Sequence, residues 1–372
     1  MLEQGEGLTD AVGQFGFDSL CHEGKIQTAN QASAEMSLVL IEKTETGAPL
    51  ERAEAEALME ELLGGRLETP AIVRLLTALN ARPYRATELA AFARVMRRHA
   101  ARVFAEGEIP PANMVDTCGT GGDGAQTFNI STAAAIVAAA AGARVAKHGN
   151  RAASSLSGSA DVLEALGVRI DLPFLETGKA IRQIGIGFLF AQAAHTAARH
   201  AMPARKQIGV RTVFNLLGPL TNPAGAQAQV LGVFSADVLE LVAETLRELG
   251  TERAMVMHGA GGLDEISLAG PTQIVELEDG KIRRYEVTPE EFGVERAPLE
   301  AIRGGTAAEN AELIRRIFDG EHGASRDIVA VNAGAALVVT GVAKTLKQGA
   351  DLAGEAIRNG APKKKLEELA SL

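Results

Sequence analysis

The sequence has 372 residues, with 37 Lys and Arg against 47 Asp and Glu, for a net charge of −10. A hydrophobic content of 46% excludes a disordered chain, and the acidic balance, two Tyr and no Trp argue against a nucleic-acid groove built on basic charge and stacking. Cys21 and Cys118 cannot make a disulfide framework and predict a reducing cytoplasm; Ala133 to Ala141, the longest apolar stretch, is too short to span a bilayer, and no secretory pattern is expected.

Residues 1–35 show no period and form an extension without a readable role. From Glu51 onward the pattern is helical. Ala55, Leu58, Met59 and Leu62 recur at i, i+3, i+4 and i+7, with Gly64 placed to close the helix. Thr69 before Pro70 predicts an N-cap, followed by the stripe Ile72, Leu75, Leu76 and Leu79 and a break at Pro83. Thr87-Glu88 opens a third helix with Leu89, Phe92, Ala93 and Met96 on one face. Three such helices make a small module whose apolar stripe serves a core or a subunit interface. After Ile109-Pro110-Pro111 the texture changes. Short apolar runs at Met114-Val115, Ala143 to Ala146, Val230 to Phe234, Ala254 to Met257 and Ile274 to Leu277 read as strands. Helices are predicted between them, over 131–142, 158–166 and 236–249. That alternation predicts a mostly parallel sheet covered by helices, with ligands at the carboxyl ends of the strands. Lys363-Lys364-Lys365 reads as a solvated helix face or end.

Four constellations carry chemistry. Asp116 to Gly124 holds Gly119, Gly121, Gly122 and Gly124, then Thr127, Asn129, Ser131 and Thr132 lead into an Ala-rich helix. Such a loop frees consecutive N–H groups for an anion, and the following helix N-terminus favours phosphate. Gly119-x-Gly121-x-x-Gly124 matches the dinucleotide fingerprint in letters only, because the next strand ends in Lys147-His148 rather than an acid for the ribose. No Gly-Lys-Ser/Thr follows, so the Walker pattern fails too. The polar run from Lys147 to Asp161 then suits a phosphorylated ligand, through a point charge, hydroxyls and backbone donors. Asp264-Glu265 on the Gly259 to Gly262 loop suits Mg²⁺, a hard ion that takes carboxylate and phosphate oxygens. Finally, Arg205, in the basic run from His195 to Lys206, suits bidentate capture of a carboxylate, while the seven His lack zinc-ligand spacing.

In their order, Gly-Thr-Gly-Gly-Asp, Asn-x-Ser-Thr, Lys-His-Gly-Asn-Arg and the late Asp-Glu resemble the anthranilate phosphoribosyltransferase family from about residue 36 to the C-terminus. The resemblance implies an α/β fold class: a small all-helical domain plus a larger α/β domain with a mostly parallel central sheet covered by helices. The helical, dimerisation domain would take 36–106 with a later segment near 196–222, and the α/β domain 113–195 and 223–372. It implies transfer of phosphoribose from phosphoribosyl pyrophosphate to the amine of anthranilate, two Mg²⁺ per subunit and a homodimer, with no nucleic-acid or membrane partner. Phosphoribosyl pyrophosphate would be held by Gly119, Gly122, Asp123, Thr127, Asn129, Ile130, Ser131, Thr132, Lys147 and Ser159. The loop of His148, Gly149, Asn150, Arg151, Ala152, Ala153, Ser154 and Ser155 would join them. Ser131, Asp264 and Glu265 would hold the metal; Gly119, His148, Asn150, Arg205 and Pro219 would meet anthranilate, with positioning by His148, Asn150 and Arg205. Thr196-Ala197-Ala198 departs from the Pro and Ala-Met of the family pattern after the His at 195. Two alternatives remain: a pyrimidine nucleoside phosphorylase and a nucleic-acid-binding paralogue. Asn150-Arg151 disfavours the first; the net charge of −10 and Asp264-Glu265 disfavour the second.

Overall fold

The computed structural model describes residues 33–122, 124–152 and 155–372. Helix α1 covers 33–45, and α2 (Arg52–Leu63), α3 (Thr69–Asn80) and α4 (Ala86–Arg98) follow. The predicted stripes are the buried faces: Ala55, Leu58, Met59 and Leu62 on α2, Ile72, Leu75, Leu76 and Leu79 on α3. The caps differ from expectation. Glu68, extended at φ −71° and ψ 152°, is the N-cap of α3, so Thr69 and Pro70 lie inside the first turn, where a missing N–H costs nothing. Likewise α4 starts from Arg85, and Glu88 is its third residue. Glu88 is buried at 1% exposure, which its partners permit: Arg82 at 2.5 Å and the Leu50 N–H at 2.8 Å.

The rest of the chain alternates strands and helices. In order come β1 (Met114–Gly119), α5 (Ile130–Ala140), β2 (Arg144–Gly149), α6 (Ser159–Ala165), α7 (Phe174–Gln183) and β3 (Ile186–Phe190). Short helices α8 (Ala191–Ala194), α9 (Met202–Ile208) and α10 (Phe214–Leu217) follow, then β4 (Ala228–Gly232), α11 (Leu239–Glu248), β5 (Arg253–Gly259), β6 (Thr272–Glu278) and β7 (Lys281–Val287). Helices α12 (Ala307–Phe318), α13 (Ala324–Val339), α14 (Leu346–Arg358) and α15 (Ala361–Ala370) close the chain. The strands form one sheet in the order β3-β2-β1-β4-β5-β6-β7, parallel from β3 to β5 and antiparallel from β5 to β7. The apolar runs mark five of these strands; β3 and β7 carry no such mark.

Two strand ends correct the sequence reading in a way that matters. β1 runs on through Asp116, Thr117 and Cys118 to Gly119, and β2 through Lys147 and His148 to Gly149. Asp116, Thr117 and Cys118, read as the start of the Gly-rich loop, belong to the sheet, as do Lys147 and His148 at the strand end expected for them. Parallel ladders hold both ends, β1 against β4 as far as Gly119 opposite Gly232, and β2 against β3 as far as Gly149 opposite Phe190.

From β1 to β6 the sheet is buried on both faces, while the edge strand β7 is largely exposed. Val230, Met255, Met257 and Ile274 point to a core with the Ala-rich helices α5 and α13. Leu231, Val256 and Val275 point the other way, to a core shared with α11 and α2–α4. Small side chains set the packing distance on the first face. A Cβ on Gly334 of α13 would lie 2.6 Å from the Ala350 nitrogen of α14, so the backbones of these helices touch. That contact explains part of the glycine-rich, aromatic-poor composition.

Candidate active site

From β1 the chain moves outward through β2 to β3, then returns to place β4 on the other side of β1. Strand order therefore reverses between β1 and β4. In an open α/β sheet the crevice outside the carboxyl ends at such a point is the natural ligand site. Gly119 and Gly232 are the paired terminal residues there.

These two glycines make room for the metal-type loop. A Cβ on Gly119 would lie 2.9 Å from Asp264 Cγ, and one on Gly232 would lie 2.9 Å from Asp264 Cα and overlap its carbonyl. Asp264 Oδ2 accepts the Gly121 N–H at 2.9 Å. The Asp264-Glu265 loop thus lies against the Gly-rich turn. Gly121, Gly122 and Gly124 take φ of +64°, +74° and +75°, the conformation expected of an N–H nest. Thr120 ties the turn to β4, its N–H donating to Gly232 O at 2.9 Å and its hydroxyl accepting from Phe234 N at 3.0 Å.

Ser131 and Thr132 occupy the first turn of α5, as the sequence predicts, with Ile130 as its first residue and Asn129 as its N-cap. Thr117 Oγ1 donates to Ser131 O at 3.2 Å, joining that helix to β1. Among the described residues Thr132 Oγ1 is buried without a hydrogen-bond partner, an unusual cost at a helix N-terminus that suits an oxyanion. The Asn129 amide laces the site together: Nδ2 donates to Ser157 O at 3.1 Å, and Oδ1 accepts from Ser157 Oγ at 3.2 Å and Asn310 Nδ2 at 3.0 Å. Thr127 forms an isolated bridge with Arg303.

Beyond β2 the chain is held from one carboxylate. Asp161 Oδ2 accepts the Ala152 and Gly158 N–H groups, each at 2.9 Å, while Oδ1 meets Arg151 at 2.8 Å. Arg151 also pairs with Glu164 at 2.5 Å. Its charge is therefore committed to two acids. Asn150 Oδ1 accepts the Arg151 N–H at 2.8 Å, and Ser159 begins α6. Lys147 is buried and donates to Thr117 O. Asp123, Ala153 and Ser154 lie outside the described residues; Ser155 is exposed.

The expected anthranilate residues fall in two places. His148 and His195 meet edge to face, centroids 5.2 Å apart, and among the described residues the Nε2 of each is buried without a partner. Burial, with His195 and Lys147 nearby, pulls His148 down to about 3, and burial pulls His195 down to about 4, so both rings are neutral near pH 7. His148 N–H donates to Asp116 Oδ1 at 3.0 Å; burial pushes the Asp116 carboxyl up and Lys147 opposes it. Pro219 is buried, its carbonyl accepting Gln229 Nε2 at 2.7 Å. Arg205 stands apart on α9, over the Phe214 ring at 5.4 Å, with Met202 Sδ 3.8 Å from Nη1. It is half-buried, its pKa is lowered by that burial, and among the described residues no carboxylate pairs with it.

The family comparison rests on most of the chain. Residues 39–100 match the glycosyl transferase family, helical bundle domain, and residues 111–363 the glycosyl transferase family, a/b domain. An anthranilate phosphoribosyltransferase of Desulfatibacillum aliphaticivorans is 48% identical over 330 residues, covering 89% of this chain and 96% of the relative. The chain belongs to the anthranilate phosphoribosyltransferase family. A second relative, from Parvibaculum lavamentivorans, is 49% identical across 89% of this chain and 95% of its own length. The anthranilate phosphoribosyltransferase crystal structure from Thermus thermophilus aligns with TM-score 0.84 at 48% identity, over 89% of this chain and 98% of that one. The Saccharomyces cerevisiae enzyme in complex with PRPP and Mg aligns at 0.81 and 26% identity, over 90% and 98%.

Among the described residues no three His, Cys, Asp or Glu converge into a cage. A site of Asp264 and Glu265 on a Gly-rich loop matches Mg²⁺, which is typically held by one or two carboxylates with substrate phosphates. Around the crevice two contributors carry no local signal, Gly232 and Asn310, while Arg211, from the run after Lys206, donates to Gly122 O and lies over Phe234. Their partners are residues that no short motif places beside them.

Proposed function

We propose that the crevice at the β1–β4 reversal carries the family's reaction. The chain transfers phosphoribose from phosphoribosyl pyrophosphate to the amine of anthranilate, giving N-(5-phosphoribosyl)anthranilate and pyrophosphate in tryptophan biosynthesis, and it uses Mg²⁺. The observation that carries the placement is Asp264 seated on Gly119 and Gly232 with its carboxylate on the Gly121 N–H.

In this reading the pyrophosphoryl group lies on the Gly119–Gly124 turn and the α5 N-terminus, with Gly119, Gly122, Asp123, Thr127, Asn129, Ile130, Ser131 and Thr132 as its contacts. The unpartnered Thr132 hydroxyl supports this. Lys147, Ser159 and the backbone from His148 to Ser155 hold the phosphoribose. Ser131, Asp264 and Glu265 hold two Mg²⁺. Bound there, the metal neutralises charge on the departing pyrophosphate as a Lewis acid and template. Loss of pyrophosphate leaves an oxocarbenium-like sugar. The arylamine is a neutral nucleophile, so no side chain need act as a strong base. The neutral His148 fits that need, since it supplies shape and a hydrogen-bonding nitrogen without repelling the developing cation. Arg205, half-buried without an acidic partner among the described residues, clamps the anthranilate carboxylate, with Asn150, His148, Pro219 and the Gly119 backbone around the ring. Positioning and fixed dipoles supply the acceleration.

The helical face offers the subunit contact: Met36 and Val39 are each 58% exposed on α1, and Leu38 44%. A homodimer through this domain and a cytoplasmic location complete the reading. Among the described residues no helix is long and apolar enough to cross a membrane. The test is a paired assay. Anthranilate loss that needs phosphoribosyl pyrophosphate, with no phosphorolysis of thymidine or uridine, supports the transferase; phosphorolysis without anthranilate loss overturns it.

A further inference from the structure

We propose that Asn332 is a positioning residue that fixes the Asp264-Glu265 carboxylates and thereby sets the affinity for Mg²⁺. The inference rests on the assignment of those carboxylates given above.

Helix α13 buries Ile328, Val329, Ala330, Val331, Ala333, Gly334, Ala335, Ala336 and Leu337 around Asn332, which is itself 2% exposed. A primary amide in such surroundings is costly unless every polar atom finds a partner. Asn332 Oδ1 accepts the Ile266 N–H at 2.9 Å, and Nδ2 donates to Ile266 O at 3.1 Å and to Ile328 O, one turn back in its own helix, at 2.9 Å. One side chain therefore satisfies both backbone groups of Ile266, as a neighbouring strand would. Ile266 is buried and directly follows Glu265.

Other bonds hold the loop as well: Asp264 meets the Gly121 N–H, and Leu268 O accepts the Ala297 N–H at 3.0 Å, but Asn332 grips the residue next to Glu265. On one side Gly259 N–H donates to Leu263 O at 2.8 Å, closing the loop on itself. On the other, Ser267 N–H donates to Thr272 Oγ1 at 3.0 Å and Ser267 Oγ to Ala260 O at 2.9 Å. Those bonds stay within residues 259–272. Asn332 ties the loop to a helix of the core, 66 residues away in sequence. The carboxylates are then presented from a fixed backbone, and a metal that keeps rigid octahedral geometry gains from donors already in place.

The experiment uses the full chain. Asn332→Leu removes all three bonds at nearly constant size, and Thr340→Val is the control. Thr340 is a buried polar residue just past the same helix, whose hydroxyl bonds Ala336 O at 2.8 Å and Leu337 O at 3.1 Å. Mg²⁺ is titrated calorimetrically in the presence of phosphoribosyl pyrophosphate, and initial rates are followed against Mg²⁺. Loss of a direct partner of a metal ligand typically weakens metal binding about 10- to 100-fold; Asn332 acts one residue removed, through the Ile266 backbone, so the low end, about tenfold, is expected for Asn332→Leu, with the anthranilate KM unchanged. Thr340→Val is expected to keep the wild-type metal affinity. Equal affinities in Asn332→Leu and wild type, or equal losses in both variants, overturn the proposal. Wild type that binds Mg²⁺ but shows no transfer overturns the functional reading instead. Should Asn332→Leu not fold, Asn332→Ser is read the same way. Hydrogen exchange on the wild type decides independently. The Ile266 amide is expected to exchange as slowly as the α13 core, and exchange as fast as Gly261 and Gly262 overturns the clamp.

Discussion

Gly232→Ala is the sharpest structural perturbation of the site. Position 232 ends β4 and is not itself an expected ligand contact, yet a single methyl there has nowhere to go. It would stand 2.9 Å from Asp264 Cα and overlap the Asp264 carbonyl, neither of which is a flexible side-chain end. Ordinary contact begins at 3.4 Å, so the Cα alone must retreat about 0.5 Å and the carbonyl further. A displacement of ~1 Å at a catalytic group costs roughly a hundredfold in rate. Overpacking also costs about 1–3 kcal/mol of stability, small enough for the variant to fold. The assay is loss of anthranilate fluorescence at saturating substrates, with Mg²⁺ varied, beside a thermal melt. We expect kcat down about a hundredfold and a higher Mg²⁺ requirement, with the anthranilate KM within a few-fold of wild type. A folded variant with wild-type kcat and metal dependence would refute the placement of Asp264 on the β1–β4 crevice.

Other consequences follow from the same geometry. Arg205→Ala should cost about 1.5–3 kcal/mol of anthranilate binding, a ten- to hundredfold rise in KM, with Lys restoring only part because it cannot bind bidentately; a change confined to phosphoribosyl pyrophosphate would reassign the residue. Asp264→Asn and Glu265→Gln should shift the Mg²⁺ activation curve and leave anthranilate binding in place, as substrate titrations at each metal concentration will report. Asp161→Ala releases two N–H groups and leaves Arg151 with Glu164 alone, so the phosphoribosyl pyrophosphate KM should rise about tenfold, worth ~1.4 kcal/mol, while an unchanged KM would mean that this loop does not touch the substrate. Acid should destabilise the fold through the His pair. Their folded pKa values, about 3 and about 4, lie below the ordinary 6.5, so the unfolded chain takes up protons first and stability is lost as pH falls below 6.5. From pH 6.5 to 5 the pair accounts for about 3 kcal/mol. Urea midpoints across that range measure it, and His148→Gln should remove about half of the slope.

Much of this was legible in the sequence. The amphipathic stripes of α2 and α3 and five apolar strand cores stand out because burial demands them at fixed spacing. The end of β1 was not legible. Asp116 looks like the start of the Gly-rich loop, yet it sits in the strand, where its Oδ1 accepts the His148 N–H of β2 and Lys147 donates to Thr117 O. β7 escaped because it is an edge strand with mostly exposed side chains, Arg283 and Arg284 among them. The motifs marked the Gly-rich turn and the acidic loop, and the fold brings the two together. What holds them could not be read from spacing. Gly232 and Asp264, Asn129 and Asn310, and Ile266 and Asn332 meet only because the strand order reverses and α12 and α13 return to the sheet. Arg151 shows the opposite limit: its charge looked available for phosphate, and the fold commits it to Asp161 and Glu164.

Stoichiometry in one vessel tests the proposed transfer most directly. Purified protein, anthranilate, phosphoribosyl pyrophosphate and Mg²⁺ are combined, and anthranilate loss and pyrophosphate release are followed together, with and without EDTA. One pyrophosphate should be released per anthranilate consumed, and neither process should occur in EDTA. Pyrophosphate release without anthranilate loss, or anthranilate loss that persists in EDTA, would contradict a metal-dependent phosphoribosyl transfer at the β1–β4 crevice.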